Sequence, residues 1–283
     1  MNTISAAVES AVVDVSWVAA HLSDPTLRVI EVDVAPAAYR QGHIPGALLW
    51  NIYADLRHAD YSPISTAELA ALLSRTGMDR ESTVVFYGYG AHLGYWLLTS
   101  LGRRGTLLLD GPREQWLDTG RPFTLEEREA LPAVAAPLRP DPRLDVSREA
   151  ILAMADEPGQ IVLDVRSRAE YEGERFWPSA ATEDTGRPGH IPGSVNLPIE
   201  ALRDPDGSFK DVDEMRQALL TAGVTPEHRV VTYCTVGNRA AQAWFALSHL
   251  LGYPDTGVYS GSWAEWGFLP DAPVETSMRV EAF

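Results

Sequence analysis

Cys234 is the only cysteine among the 283 residues and lies in VVTYCTVGNR, where a β-branched run ends and a helical pattern begins. A thiol there can act as a nucleophile, because the amides of the following loop and the dipole of the next helix favour negative charge. Gly237 allows the loop to curl, and Arg239 adds a fixed cation. The alternative is a small apolar core residue, the usual role of a single intracellular cysteine. The position of Cys234 at a strand end favours the nucleophile.

The elements that would position this cysteine occur twice in the chain. GHIPGALLWN at Gly42 returns as GHIPGSVNLP at Gly189, and STVVFYG at Ser82 returns as HRVVTYC at His228. The pairs LDGPREQW and YSGSWAEW, and VIEVD and IVLDV, recur in the same order, at offsets of about 130 to 150 residues. Such self-similarity predicts a duplicated domain, with Gly88 at the cysteine position of the first copy.

Each copy alternates short apolar runs with helical patterns. In the second copy, GQIVLDV, HRVVTYC and the weaker TGVYSG are predicted strands, and helices are predicted over DVDEMRQALLTAGV and after the cysteine loop. This alternation predicts an α/β fold in which a mostly parallel sheet carries helices on both faces. Residues 1–125 and 144–283 are the predicted domains, and the proline-rich segment 126–143 is a predicted semi-rigid linker.

Composition limits the classes of function. The formal net charge is −16 and Lys210 is the only lysine, so we expect no binding to nucleic acid or to an acidic membrane surface. One cysteine cannot form an internal disulfide, and neither a signal peptide nor a membrane-spanning run is recognisable. The histidines form no closely spaced pair that would indicate a metal site. We therefore expect a cytoplasmic monomer without a metal.

Three motifs together resemble the rhodanese family, specifically the tandem-domain thiosulfate sulfurtransferases. They are the paired HIPG sequences, the Cys-x4-Arg loop after a strand and the terminal Gly-x4-Trp segment, and the match covers nearly the whole chain. In that family the N-terminal copy is catalytically silent and the C-terminal copy carries the cysteine, as Gly88 and Cys234 do here. The resemblance implies two rhodanese-like domains and sulfurtransferase activity.

The mechanism that the resemblance implies is two displacements at sulfur. The Cys234 thiolate attacks the outer sulfur of thiosulfate or a similar anionic donor, sulfite leaves, and a persulfide remains on the enzyme. A thiophilic acceptor, cyanide or a thiol, then takes that sulfur, so no cofactor is required. Cys234 and Arg239 are the predicted catalytic residues. The expected cradle for the anionic sulfur is formed by loop amides, those of Thr235, Val236, Gly237 and Asn238.

The resemblance also guides the choice of donor. Arg166 occupies an arginine position of the family, whereas Glu170 stands where users of 3-mercaptopyruvate place a substrate-binding arginine. A carboxylate there would repel the carboxylate of 3-mercaptopyruvate, which favours thiosulfate. The loop after Cys234 matches neither the 3-mercaptopyruvate users nor the animal thiosulfate enzymes, so the first class stays an alternative.

Further donor-binding candidates come from the segment GERFWPSAATEDTGRPGH, which the first copy lacks. Its Arg175 and Arg187 are cations that suit a dianionic donor, and Trp177 offers an apolar wall. The alternative for each arginine is a solvated loop position of little energetic value. Trp263, beside the turn after the last strand, is a candidate lining residue.

Other functions stay open. The protein could be a persulfide carrier or regulatory module with little turnover of its own. Phosphatases on this fold have one more residue between cysteine and arginine, so the four residues here favour a single sulfur over a phosphate. Gly88, Gly90 and Gly94, with Asp110, resemble a relaxed dinucleotide fingerprint, although the equivalent stretch of the second copy is the cysteine loop. His43 and His190 of the HIPG motifs are expected to satisfy backbone groups.

Overall fold

A computed structural model describes residues 11–109, 111–129, 132–154, 157–178 and 186–276. The chain folds as two compact units. The first extends to Asp141 apart from Asp60–Ser62, and the second contains Asp60–Ser62 and the chain from Pro142 onward. Each unit is built from one parallel sheet and its helices, which confirms the predicted fold class.

The first unit follows the predicted alternation of strands and helices. Its sheet has the strand order β1-β5-β4-β2-β3, and all neighbouring strands are parallel. The elements in chain order are β1 (Val12–Val13), α1 (Val15–His21), β2 (Leu27–Asp33), α2 (Ala37–Gln41), β3 (Leu48–Asn51), α3 (Ile52–Asp55), α4 (Thr66–Arg75), β4 (Thr83–Tyr87), α5 (Ala91–Ser100), β5 (Thr106–Leu109) and α6 (Gln115–Asp118).

The second unit repeats this plan with a smaller sheet, ordered β7-β6-β8-β9 and again parallel throughout. Its elements are α7 (Arg148–Met154), β6 (Gln160–Asp164), α8 (Arg168–Glu172), β7 (Val195–Asn196), a 3₁₀ turn (Ile199–Ala201), α9 (Val212–Thr221), β8 (Arg229–Tyr233), α10 (Asn238–Phe245), a π-helical turn (Ala246–Leu250), β9 (Thr256–Val258) and α11 (Ser262–Trp266).

The central strands are apolar because helices cover the sheet. Every residue of β4 is buried, and in β8 only Arg229, at its start, is partly exposed. Strands buried on both faces are near-continuous hydrophobic runs, as in TVVFY and RVVTY. The ends of β4 and β8 are therefore rigid points from which the following loops begin, and these loops hold Gly88 and Cys234.

The two HIPG histidines each pack against a tyrosine of the preceding helix. The ring of His43 stacks on Tyr39 at 3.8 Å and that of His190 stacks on Tyr171 at 3.6 Å. The Nδ1 atoms lie 3.0 Å and 2.7 Å from the carbonyl oxygens of the same tyrosines. Each histidine thus satisfies a backbone group, as the sequence predicted.

The proline-rich segment is irregular over its described residues, 126–129 and 132–143, and is held by backbone hydrogen bonds. The amide of Ala133 donates to the Ser74 carbonyl at 3.0 Å, and the amide of Arg139 donates to the Leu101 carbonyl at 2.9 Å. Such anchoring limits the freedom of the segment. In the described part of the chain, the helices are too short or too polar to cross a membrane.

Candidate active site

Cys234 follows the last residue of β8 and precedes a loop of three residues that leads into α10. Gly237 ends this loop in the left-handed region, with φ of 87°, and its amide donates a hydrogen bond to Sγ of Cys234 at 3.1 Å. A side chain with a Cβ is strained at that φ, so glycine suits the position. One predicted cradle amide therefore points at the sulfur.

The thiol is more enclosed than an accessible nucleophile would be. Cys234 is 1% exposed, and the neighbouring Thr235, Val236 and Asn238 are buried as well. The whole loop from Cys234 to Asn238 is buried, so the sulfur and the amides around it are enclosed together. Access to Sγ is consequently narrow, while the amide of Gly237 keeps the orientation that an anionic sulfur needs.

Helix α11 holds the other side of the loop. The amides of Trp263 and Ala264 donate to the carbonyls of Cys234 and Thr235, each at 2.9 Å. The hydroxyl of Ser262 accepts a hydrogen bond from the Cys234 amide at 3.2 Å and donates to the Tyr259 carbonyl at 2.9 Å. These contacts fix the backbone on which the thiol is carried.

Sequence reasoning missed Ser262. Its backbone is left-handed, with φ of 54°, although it is fully buried and not a glycine. Residues in this region are uncommon and concentrate at functional sites. The signal available in the sequence is the repeat itself, because the segment containing Ser262 aligns with GPREQW of the first copy, where Pro112 has no hydroxyl.

Glu170 is fully buried and belongs to the loop rather than to a substrate surface. Its Oε1 accepts from the Thr235 hydroxyl at 2.8 Å, and its carboxylate pairs with both terminal nitrogens of Arg239, at 2.8 and 2.9 Å. Burial raises the pKa of Glu170. The hydrogen bonds and positive charge of Arg239, together with hydrogen bonds from Ser167 and Thr235, outweigh this and lower the pKa to about 2. Because Arg239 compensates the charge of Glu170 inside the protein, this position gives no support to the prediction that Glu170 repels a substrate carboxylate.

Arg166 is buried in the same unit. It pairs with Asp164 at 2.6 Å, donates to the carbonyl of Gly189 at 2.7 Å and lies 4.5 Å above the ring of Trp263. Burial opposes its charge, but the Asp164 carboxylate outweighs this and raises the pKa of Arg166. Arg166, Glu170 and Trp263 are all 0% exposed, so their positions do not support the predicted contacts with a donor.

The arginines of the insertion also have internal partners. Arg187 donates from its guanidinium to the Leu269 carbonyl, and its amide donates to the Gly267 carbonyl at 2.8 Å. Arg175 donates to the hydroxyl of Ser167 at 3.2 Å. Trp177 is half-buried and packs edge-on against Phe176 at 5.2 Å. Residues 179–185 of the insertion lie outside the described part of the chain.

The corresponding loop of the first copy has a different backbone. Gly88 has φ of 89°, only two residues separate it from α5, and the amide of Gly90 donates to the Val32 carbonyl at 2.8 Å. Cys234 is not among the residues with positive φ. The loop after Gly88 thus has one residue fewer, and its Gly90 amide binds the neighbouring strand.

Close packing also explains the glycines that resemble a dinucleotide fingerprint. A Cβ on Gly90 would lie 2.6 Å from the side chain of Val32, and one on Gly94 would lie 2.6 Å from the ring of Phe86. Both glycines therefore let α5 approach the sheet. Asp110, the proposed acidic partner, lies outside the described residues.

Comparison with known proteins identifies the class to which this fold and loop belong. The model of the rhodanese-like domain matches the chain twice, at residues 14–119 and 147–268. The chain belongs to the rhodanese family, with two copies of its domain.

Relatives of nearly equal length are similar along most of the chain. The sulfur carrier protein TtuD of Thermus thermophilus is 38% identical over 275 residues, which cover 93% of this chain and 95% of the relative. A protein of Haloferax volcanii named "Putative thiosulfate sulfurtransferase" is 36% identical, with coverage of 93% and 95%. These similarities support sulfur transfer as the general class of activity.

Solved structures with this fold include EanB in a persulfide form with ergothioneine. It superposes with a TM-score of 0.85 at 23% identity, covering 96% of this chain and 72% of EanB. The anaerobic ergothioneine biosynthesis enzyme of Chlorobium limicola superposes with a TM-score of 0.84 at 24% identity, covering 95% of this chain and 71% of that enzyme. At these identities the likeness shows the fold alone.

Proposed function

We propose that this protein is a sulfurtransferase that carries sulfane sulfur as a persulfide on Cys234. The observation that carries the proposal is the hydrogen bond from the Gly237 amide to Sγ, at the strand end where α10 begins. A main-chain donor aimed at sulfur before the reaction stabilises an anion there without reorganisation. The same donor serves the thiolate and then the terminal sulfur of the persulfide.

Thiosulfate is the proposed donor. The thiolate of Cys234 attacks its outer sulfur, the sulfur–sulfur bond of thiosulfate breaks, and its electron pair leaves with sulfite. Cyanide or a thiolate then attacks the outer sulfur of the persulfide, and thiocyanate or a new persulfide leaves as the Cys234 thiolate is regenerated. Charge balances in both steps without a proton or a cofactor. Names of relatives such as that of Haloferax volcanii support this donor.

Intact mass measurement tests the proposal. Incubation with thiosulfate adds the mass of one sulfur atom to the protein, and cyanide then removes it as thiocyanate. Cys234→Ser, the control, gains no mass under the same conditions. A folded wild-type protein that gains no sulfur from thiosulfate, 3-mercaptopyruvate or a small persulfide would overturn the proposal. The relative rates with thiosulfate and 3-mercaptopyruvate decide between these two donors.

A persulfide carrier with little turnover is the second candidate. The burial of Cys234 favours it, because a residue that is only 1% exposed is poorly placed to meet free acceptors. The similarity to the sulfur carrier of Thermus thermophilus points the same way. For a carrier, one sulfur loads quickly, whereas release to cyanide and small thiols is slow. Single-turnover loading compared with steady-state release separates the two candidates.

A further inference from the structure

The buried carboxylate of Glu170 connects the two ends of the cysteine loop. Thr235 directly follows Cys234 and donates to Oε1. Arg239, the second residue of α10, donates to both carboxylate oxygens and also to the Thr235 hydroxyl at 2.7 Å. Three side chains from α8, the loop and α10 therefore form one closed set of hydrogen bonds, which we name the loop clamp (Glu170, Thr235 and Arg239).

The loop clamp encloses the glycine that contacts the sulfur. Gly237 lies between Thr235 and Arg239, and its left-handed backbone sets the direction of the amide that reaches Sγ. Because Thr235 and Arg239 are tied to the same carboxylate, the path of the chain between them is constrained. A change in the separation of these two residues would therefore turn the Gly237 amide.

Charge compensation changes the role expected of Arg239. Its guanidinium meets the carboxylate of Glu170 through two parallel hydrogen bonds, the geometry in which arginine binds most specifically. The carboxylate itself is 0% exposed. The pair carries no net charge, so Arg239 contributes little long-range attraction to an anionic donor.

The silent copy provides an internal comparison. Alignment on the stacked tyrosines Tyr39 and Tyr171 places Ala38 opposite Glu170. Alignment of the strand ends and helix starts places Tyr89 opposite Thr235 and His92 opposite Arg239.

All three members of the loop clamp are thus missing where the cysteine is missing. The framework common to both copies persists, since Trp116 and Trp266 each donate to a proline carbonyl, at 3.1 Å and 2.7 Å. Both copies have the fold, but only the copy with the cysteine has the loop clamp.

We infer that Glu170, Thr235 and Arg239 are positioning residues, which hold the loop so that the Gly237 amide points at Sγ of Cys234. Arg239 acts through this arrangement and not as the cation that binds the donor. The consequence for sulfur transfer rests on the function proposed above, whereas the consequence for the reactivity of the thiol does not.

Thr235→Val and Thr235→Ser form the decisive pair. Valine preserves the shape of the buried side chain and removes the hydroxyl, and serine keeps the hydroxyl. The rate of alkylation by iodoacetamide is measured against pH, and it reports on Cys234 alone because the chain has one cysteine. In Thr235→Val we expect the profile to move to higher pH by about one unit and persulfide formation to slow about tenfold at unchanged donor KM. Thr235→Ser restores both.

Arg239→Lys separates position from charge. Lysine keeps the positive charge but loses the paired hydrogen bonds, so we expect the same changes as in Thr235→Val. The matched control is Arg229→Lys at the opposite end of β8, where the arginine pairs with Asp255. This control lowers the unfolding temperature slightly and leaves the alkylation profile in place.

Two results would overturn the inference. One is an Arg239→Lys protein with wild-type alkylation and transfer rates, which would make the charge the property that matters. The other is a Thr235→Val protein that changes only its unfolding temperature, as Arg229→Lys does. Alkylation needs no sulfur donor, so failure of the wild type to form a persulfide would refute the proposed function and leave this test intact.

Discussion

In each copy an arginine donates to the backbone carbonyl of the glycine that precedes HIP, but the arginine comes from a different segment of the chain. In the second unit Arg166, from the segment after β6, donates to Gly189 and pairs with Asp164. In the first unit Arg113, from the segment after β5, donates to the carbonyl of Gly42 and pairs with a different buried carboxylate, Glu31. Both copies therefore contain this contact, although the arginine that supplies it comes from a different segment in each.

The loops after β4 and β8 show the opposite behaviour. Here the first copy carries different residues: Gly88 replaces the cysteine, Tyr89 and His92 stand opposite Thr235 and Arg239, and the loop is one residue shorter. We conclude that contacts shared by the two copies support the fold, whereas the loop contacts confined to the second copy support the thiol. Each of the following changes tests that division.

Moving the cysteine is expected to have the largest effect. In a Cys234→Ser protein, the added substitution Gly88→Cys does not restore persulfide formation, and the rate stays on the order of a thousandfold below wild type. A Cβ on Gly88 would lie 3.1 Å from the Val32 carbonyl oxygen, at a φ of 89° that strains any side chain. Sulfur loading followed by mass measures this, with Gly88→Ala as the control for folding. Recovery of sulfur loading would show that the two loops are equivalent.

The buried glutamates are expected to differ in the sign of their pH dependence. The pKa of Glu170 is about 2, below its ordinary 4.5, so the stability it contributes is complete above pH 4.5 and lost as pH falls towards 2. Burial outweighs the contacts with Tyr87 and Arg113 and raises the pKa of Glu31. Its contribution is present below pH 4.5 and is lost as pH rises through the raised pKa.

Urea unfolding as a function of pH measures this difference. We expect Glu170→Gln to cost about 3 kcal/mol at pH 7 and to flatten the acid limb of the profile. Glu31→Gln costs less at pH 7, because it removes a charge whose burial is unfavourable. Equal losses with parallel pH profiles would contradict the assignment of opposite shifts.

The smallest effect is expected at the shared framework. Trp116→Phe and Trp266→Phe each remove an indole N–H that donates to a proline carbonyl in its own unit. Each substitution should lower the unfolding free energy by about 1 kcal/mol, measured by urea titration. The alkylation rate of Cys234 is the second measurement and stays within about twofold of wild type. A loss confined to one tryptophan would show that the shared contacts do not serve both copies alike.

Many features of this protein depend only on residues that are close in the sequence, and these features could be predicted. Strand periodicity, the repeated HIPG motifs and the glycine before α10 are properties of neighbouring residues, so the two α/β units and the placement of Cys234 at a strand end could be predicted without coordinates. The contact between Gly237 and Sγ spans three residues and belongs to the same class.

The roles of the charged residues depend on contacts between distant segments of the chain, which the sequence does not show. Glu170 and Arg239 are 69 residues apart, and the sequence shows their signs but not their pairing. Whether a carboxylate repels a donor or holds a loop depends on burial and on the charge beside it, and both arise when α8 packs against the loop. The enclosure of Cys234 has the same origin, because exposure is a property of the packed chain and not of any one segment.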